Sequence, residues 1–255
     1  MSAEKKSPLK RMERKVRNAF GDDISTPRAR ILSWVHFQLF DHAFLRTVWT
    51  NFDKVAEGVY RSNHPSPARL KRWKRRGIRS VLNLRGADGH SPWLFEEEAC
   101  RALELNLYVA KIYARKPATR TEMIRLIDTL RVVEKPFVMH CKSGADRAGL
   151  ASVLYAHIID GQPLAQARKH LHWRYVHLKS TKTGVVDHIL DVYEARNAET
   201  PISLEEWLRT EYDTRAIAAS FAALRGTTPP PPGRAKPIPL SAEPIVPVVR
   251  APKTP

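Results

Sequence analysis

Phe137-Val138-Met139-His140-Cys141-Lys142-Ser143-Gly144-Ala145-Asp146-Arg147-Ala148-Gly149 decides how this chain is read. The apolar run Phe137–Met139 is the pattern of a short buried strand. The apolar stretch that continues from Ala148 to Ile159 has the pattern of a helix. Between them lies a tight polar loop in which five residues separate Cys141 from Arg147.

That order suits chemistry on a phosphate ester. A thiolate is the nucleophilic form of cysteine, and a helix N-terminus or a neighbouring cation favours it. The loop supplies Lys142 and Arg147, and the helix expected near Ala148 aims its positive end at the sulfur. The backbone N–H groups of Lys142, Ser143, Gly144, Ala145, Asp146 and Arg147 can curl into an anion-binding nest. Gly144 tolerates the positive φ that such a curl requires. Arg147 can give two parallel hydrogen bonds to phosphate oxygens, which a lysine cannot. Gly149 is expected to let the helix lie close to the neighbouring strand. Cys100 lacks this setting; it falls in an amphipathic helix, 94–105, and reads as structural.

Around this stretch, strands and helices alternate. Ser66 caps and Pro67 opens a helix to about Arg76, and Ser80–Leu84 follows as a buried strand. A helix over 93–105 and a strand over 107–112 come next. Thr119-Arg120-Thr121-Glu122 is a capping box for a helix ending near Glu134. Further helices are predicted over 163–173, 184–197 and 204–224. The pattern predicts an α/β fold, a central, mainly parallel sheet flanked by helices. In such sheets ligands sit beyond the carboxyl ends of strands, where Cys141 falls.

His140-Cys141-x5-Arg147 matches the signature of the protein tyrosine and dual-specificity phosphatase superfamily, and the string from His140 to Arg147 resembles its bacterial, compact dual-specificity-type members. Asp41-His42 with Leu45-Arg46, Val59-Tyr60-Arg61-Ser62-Asn63 with Pro65-Ser66-Pro67, and Gly77 to Gly86 resemble the same group. The likeness runs from about residue 40 to about 195. It implies a metal-independent phosphatase that forms a cysteinyl-phosphate on Cys141, with Arg147 and the loop amides of residues 142–147 binding phosphate and His140 orienting the loop and steadying the thiolate. It implies no cofactor and no metal. Its substrates would be a protein phosphotyrosine or phosphoserine, or an inositol or lipid phosphate; Lys142 would favour polyanionic ones. The chain departs from the family pattern twice. Ala148 stands where a Ser or Thr usually helps the thiolate leave. The loop Tyr113-Ala114-Arg115-Lys116-Pro117-Ala118-Thr119 holds no carboxylate where the family supplies an Asp acid. Asp146 is the leading replacement for that acid and Asp88 the second. A phosphatase-fold module that only binds phosphorylated ligands is the alternative function. An arsenate reductase or sulfur transferase is a further rival, weakened by Cys100 being the only other cysteine.

The rest of the chain frames that reading. Its 255 residues suit one folded domain with tails. A core of roughly 150 residues buries well over half its unfolded surface without a disulfide or metal staple. The expected organisation is a basic flexible tail over 1–27, an apolar helix over 28–50, a catalytic domain over 51–226 and a proline-rich disordered tail over 227–255. Two cysteines fit a reducing compartment; with no signal core or membrane span, the expected location is cytoplasmic. Residues 30–49 are apolar nearly all round as a helix, which either packs on the core or rests peripherally on an anionic membrane. A formal net charge of +17 favours anionic partners, but no nucleic-acid signature accompanies the basic run 69–79, which reads as a solvated helix face with Leu70 and Trp73 inward. His170, His172 and His177 lack the spacing of a metal set.

Overall fold

The computed structural model describes residues 20–228 and 244–252. Five strands form one sheet: β1 (Asp53–Ala56), β2 (Val59–Asn63), β3 (Ser80–Asn83), β4 (Asn106–Val109) and β5 (Phe137–Cys141). Their spatial order is β1-β2-β5-β3-β4, with β1 antiparallel to β2 and every other pairing parallel. The helices are α1 (Pro27–Leu39), α2 (Pro67–Arg75), α3 (Ser91–Ala102), α4 (Arg120–Val132), α5 (Asp146–Leu154), α6 (Leu164–Ala167), α7 (Val185–Glu199), α8 (Leu204–Thr210) and α9 (Thr214–Leu224). The predicted α/β architecture is the observed one. No helix of the described residues is long and apolar enough to cross a membrane.

The central strand β5 is buried along its whole length. Side chains alternate across a sheet with period two, and the two cores record it. Phe137, Met139 and Cys141 join the larger core with residues of α4, α5 and α7. Val138 joins a smaller core with Leu70 and Trp73 of α2, Cys100 of α3, and Val81, Leu105 and Leu107. The same alternation turns His140 toward the α3 side. Leu70 and Trp73 face inward as expected, and Ser66 and the Thr119–Glu122 box cap their helices.

Several boundaries differ from the sequence reading. The helix after the loop begins at Asp146 rather than Ala148. The single helix expected over 163–173 is only α6 followed by 3-10 turns at Arg168–His170 and Trp173–Tyr175. The chain is drawn off the helical path there, because the Arg61 guanidinium binds the His170 carbonyl. Gly149 permits a close approach, but to this segment and not to a strand: a Cβ on it would meet Leu171 Cδ2 at 2.7 Å. The helix expected over 204–224 is split where the Asp213 carboxylate accepts the Arg215 and Ala216 amides and starts α9 afresh.

The tail expected to be disordered is not so throughout. Leu107 N donates to Val249 O at 2.9 Å and Val248 N to Leu107 O at 2.7 Å, so residues 248–249 extend the exposed edge of β4. Val249 is buried in the smaller core. Valine suits an edge strand, and an unpaired strand edge invites such cover. Residues 229–243 and 253–255 of that tail, and most of the basic N-terminal tail, lie outside the described residues. Val249→Asp is therefore expected to cost about 1.5–3 kcal/mol, the worth of one buried valine. Thermal or urea denaturation measures it; an unchanged midpoint would mean that the tail leaves the sheet edge in solution.

Candidate active site

Cys141 ends β5 and α5 starts at Asp146, so the loop 142–145 spans from the carboxyl end of the central strand to a helix N-terminus. The Gly144 amide turns inward and donates to Cys141 Sγ at 3.3 Å, and the Ala145 amide reaches Ser143 Oγ. Gly144 has φ +74, and a Cβ there would meet Asn63 N at 2.7 Å and the Ser62 carbonyl carbon at 2.8 Å. Both obstacles are backbone, so only glycine fits. The loop carbonyls face the protein and need donors. His64 N donates to Lys142 O, Asn51 Nδ2 to Ser143 O at 2.9 Å, and the buried Arg61 guanidinium to Gly144 O and Ala145 O. Asn51 also donates to Tyr175 O, and Arg61 stacks on the Tyr175 ring. Burial pulls the Arg61 guanidinium down to about 10, which leaves it charged at neutral pH. Arg147 Nε is buried with no hydrogen-bond partner among the described residues.

Charge is concentrated around this loop. Asp41 is buried, accepts from Arg46 at 2.6 Å and Arg85 at 2.8 Å, and lies 3.4 Å from Lys142 Nζ. Burial would raise its pKa, but Arg85, Arg46 and Lys142 outweigh it and hold the carboxyl well below the usual carboxylate range. Arg69, expected on a solvated face, is instead buried and donates to the Asn63 side chain and the Arg46 carbonyl. Arg46 and Arg61 lie close enough to Cys141 for each guanidinium to feel a charge on its sulfur.

Beneath the loop, His140 Nε2 lies 2.5 Å from Glu96 Oε1, a close contact not aligned as a hydrogen bond. Asn83 donates to the other carboxylate oxygen. Among the described residues His140 Nδ1 has no hydrogen-bond partner, so the expected bond from His140 that steadies the thiolate is absent; the Gly144 amide meets the sulfur instead. His64, Glu96 and His140 bring ligand atoms within 4.8 Å of one another, close enough to hold a metal ion. Nothing in the spacing of these three residues announces them. Burial and the nearby Arg85 push His64 well below its usual pKa, so it is neutral, and its Nε2 faces the Pro92 carbonyl.

Asp146 has a partner that sequence reasoning missed. His177 Nδ1 donates to Asp146 Oδ1 at 2.7 Å and His177 Nε2 to Asp187 Oδ2 at 2.6 Å. Burial works against its charge, but hydrogen bonds to the two carboxylates prevail and raise His177 to about 9. It is an imidazolium fixed between the loop and α7. Asp88 is exposed and accepts the His90 amide, a turn contact. The carboxylate-free loop is filled by Lys116 over the Tyr113 ring. Ala148 is fully buried, and Ser152 donates to its carbonyl. Cys100 is buried, and burial pushes its thiol pKa well up, as befits a structural residue.

The family model described as the tyrosine phosphatase family matches residues 50–165. Inositol diphosphatase DSP3 of Arabidopsis thaliana is 32% identical over 108 residues, 39% of this chain and 50% of that protein, so the chain spans about half the length of the curated relative it matches. Among solved structures, Pseudomonas aeruginosa TpbA in complex with pTyr is 19% identical and is aligned over 49% of this chain and 74% of its own at a TM-score of 0.42. The core catalytic domain of the PP-IP phosphatase SIW14 from Saccharomyces cerevisiae, in complex with citrate, is 16% identical over 59% of this chain and 94% of its own, at 0.45.

Because His177 titrates near 6.5 when unfolded and near 9 when folded, its stabilisation is complete below pH 6.5 and is lost as pH rises through 9. His177→Gln should cost about 3–5 kcal/mol at neutral pH by stranding buried carboxylates, and the two proteins should converge above pH 9. Urea denaturation across that range reads it; a constant difference at every pH would mean that the imidazole is neutral in the fold.

Proposed function

Since residues 50–165 match the model described as the tyrosine phosphatase family, we propose that this chain is a phosphatase that hydrolyses phosphomonoesters through a cysteinyl-phosphate on Cys141. One observation carries the reading: the loop amide of Gly144 points at Cys141 Sγ while Arg147 Nε waits buried without an acceptor. A phosphate dianion seated there would supply the acceptor that Arg147 lacks and take the amides of residues 142–147.

The steps follow from those positions. The Cys141 thiolate attacks phosphorus, the S–P bond forms and the bond to the leaving oxygen breaks. Arg147 and the loop amides hold the equatorial oxygens through the transition state. Asp146 protonates the leaving oxygen. Its Oδ1 is occupied by His177, which leaves Oδ2 to carry the proton. Asp146 then takes a proton from water as the water displaces sulfur and frees phosphate. His140, held on Glu96, orients the strand end that carries Cys141. Lys142 adds positive potential at the mouth, and its partial burial lowers its pKa despite Asp41. The thiolate chemistry draws on no metal. Substrates proposed are protein phosphotyrosine or phosphoserine, or inositol and lipid phosphates; the inositol diphosphatase relative lends weight to an inositol phosphate. A cytoplasmic location fits the reduced pair of cysteines.

Ala148 offers no hydroxyl to the departing sulfur, which favours slow hydrolysis of the intermediate. A rapid-mix assay with p-nitrophenyl phosphate in EDTA should therefore show a burst of nitrophenol followed by slow turnover. Cys141→Ser should abolish both phases; activity surviving in that variant would refute the thiolate assignment. Retained phosphate-ligand binding with no turnover in the wild type would favour a binding module. Asp146→Asn should lose about 10²–10⁴-fold on a serine phosphate, whose leaving oxygen needs a proton, and far less on p-nitrophenyl phosphate. Equal losses on the two esters would remove Asp146 from the acid role.

A further inference from the structure

Three segments expose apolar side chains while burying polar ones, and two of them reach the loop through Asp41 with Lys142 and His177 with Asp146. In α1, Ser33, His36 and Phe37 are buried, while Ile31, Leu32 and Val35 are exposed. Through Ala43–Thr47 and beyond, the charged Asp41 and Arg46 point inward, and Phe44, Leu45 and Val48 point out, Val48 at 92% exposure. Past α6, Tyr175 and His177 are buried against the loop, and Trp173, Val176 and Leu178 stand outside. A helix or loop on the surface of a soluble domain normally turns its polar side to water. Here the polar groups are consumed inside, by Asp41 with Arg46 and Arg85, by His36 with Ser91, and by His177 with Asp146. Val176 is further held at φ +60, a strained conformation for a β-branched residue. Its side chain is 53% exposed, so no core packing repays that strain.

We propose that these apolar side chains form a collar that docks the catalytic face on an anionic lipid bilayer, so that the phosphoester reached there is a lipid headgroup. The headgroup part rests on the phosphatase reading above. The fold supplies apolar and aromatic side chains of the kind that sink into the headgroup boundary. The charge chooses among occupants. A chain of net charge +17 is repelled by a second copy of itself and attracted to an anionic surface. Lys142, its side chain 41% exposed at the loop, would add its charge to that attraction.

Sedimentation of the full chain with vesicles, of phosphatidylcholine alone or with one-third phosphatidylglycerol, tests the docking without reference to catalysis. The wild type should partition roughly tenfold or more in favour of the anionic vesicles. The double variant Leu45→Glu with Val48→Glu should lose about tenfold of that partition. Its p-nitrophenyl phosphate turnover should be unchanged, and its release of phosphate from phosphatidic acid in the same vesicles should fall in step with binding. Trp173→Glu repeats the test from the other segment should the double variant fold poorly. Wild type left in the supernatant overturns the proposal. So does binding that neither variant weakens, since the basic tails would then carry it, or a dimer in the absence of lipid that the variants dissociate. Cys141→Ser should sediment like wild type. Vesicle binding without any ester turnover would refute the phosphatase reading and leave the docking standing, and turnover without vesicle binding would do the reverse.

Discussion

A loop that points its amides at an anion must point its carbonyls at the protein, and those carbonyls have to be met by donors that reach under the loop. Arg61 meets half of that demand. From the middle of β2, beside β5, it reaches Gly144 O, Ala145 O and His170 O, and its flat face lies on Tyr175. Asn51 closes the same circuit through Ser143 O and Tyr175 O, and the His64 amide takes Lys142 O. All three donors come from residues 51–64, which run through the hairpin of β1 and β2 and the turn after it. The loop therefore takes its shape only when the sheet, the segment before it and the segment past α6 are all in place.

That arrangement has an electrostatic cost, because it buries several guanidiniums around one cysteine. Burial lowers both Arg61 and Arg69 to about 10. The compensation is Asp41, which sits between Arg46 and Arg85 and faces Lys142. One buried carboxylate is shared by Arg46, Arg85 and Lys142, whereas Arg61 and Arg69 meet only carbonyl and amide oxygens. Buried ion pairs of this sort do little for net stability, since desolvation takes back most of the attraction. Their value here is positional: they fix three cations beside the loop.

The sequence made the α/β class and the strand–loop–helix unit legible, because both rest on local signals. Period-two and period-3.6 patterning, Ser66 with Pro67, and the Thr119–Glu122 box are all carried by neighbouring residues. The hairpin of β1 and β2 is less readable: β1 is four residues with only two buried, and Arg61 and Asn63 in β2 are polar yet wholly buried. Polar residues that face a loop rather than water defeat a hydrophobicity pattern. His177 and Glu96 were missed for the same reason. They are brought to the site from α7's approach and from α3 by the fold alone, and no spacing in the chain foretells either. The docked Val249 was hidden by a proline-rich context that reads as unpacked, although two valines on a strand edge suffice to pair with Leu107.

Asp146 ties the loop to the rest of the fold. It is the first residue of α5, and its Oδ1 accepts from His177, whose other ring nitrogen donates to Asp187 of α7. Two hydrogen bonds given by one ring need an imidazolium, because a neutral ring has a single N–H to donate. The segment past α6 that carries His177 is therefore locked between α5 and α7, and the end of the loop 142–145 is held with it.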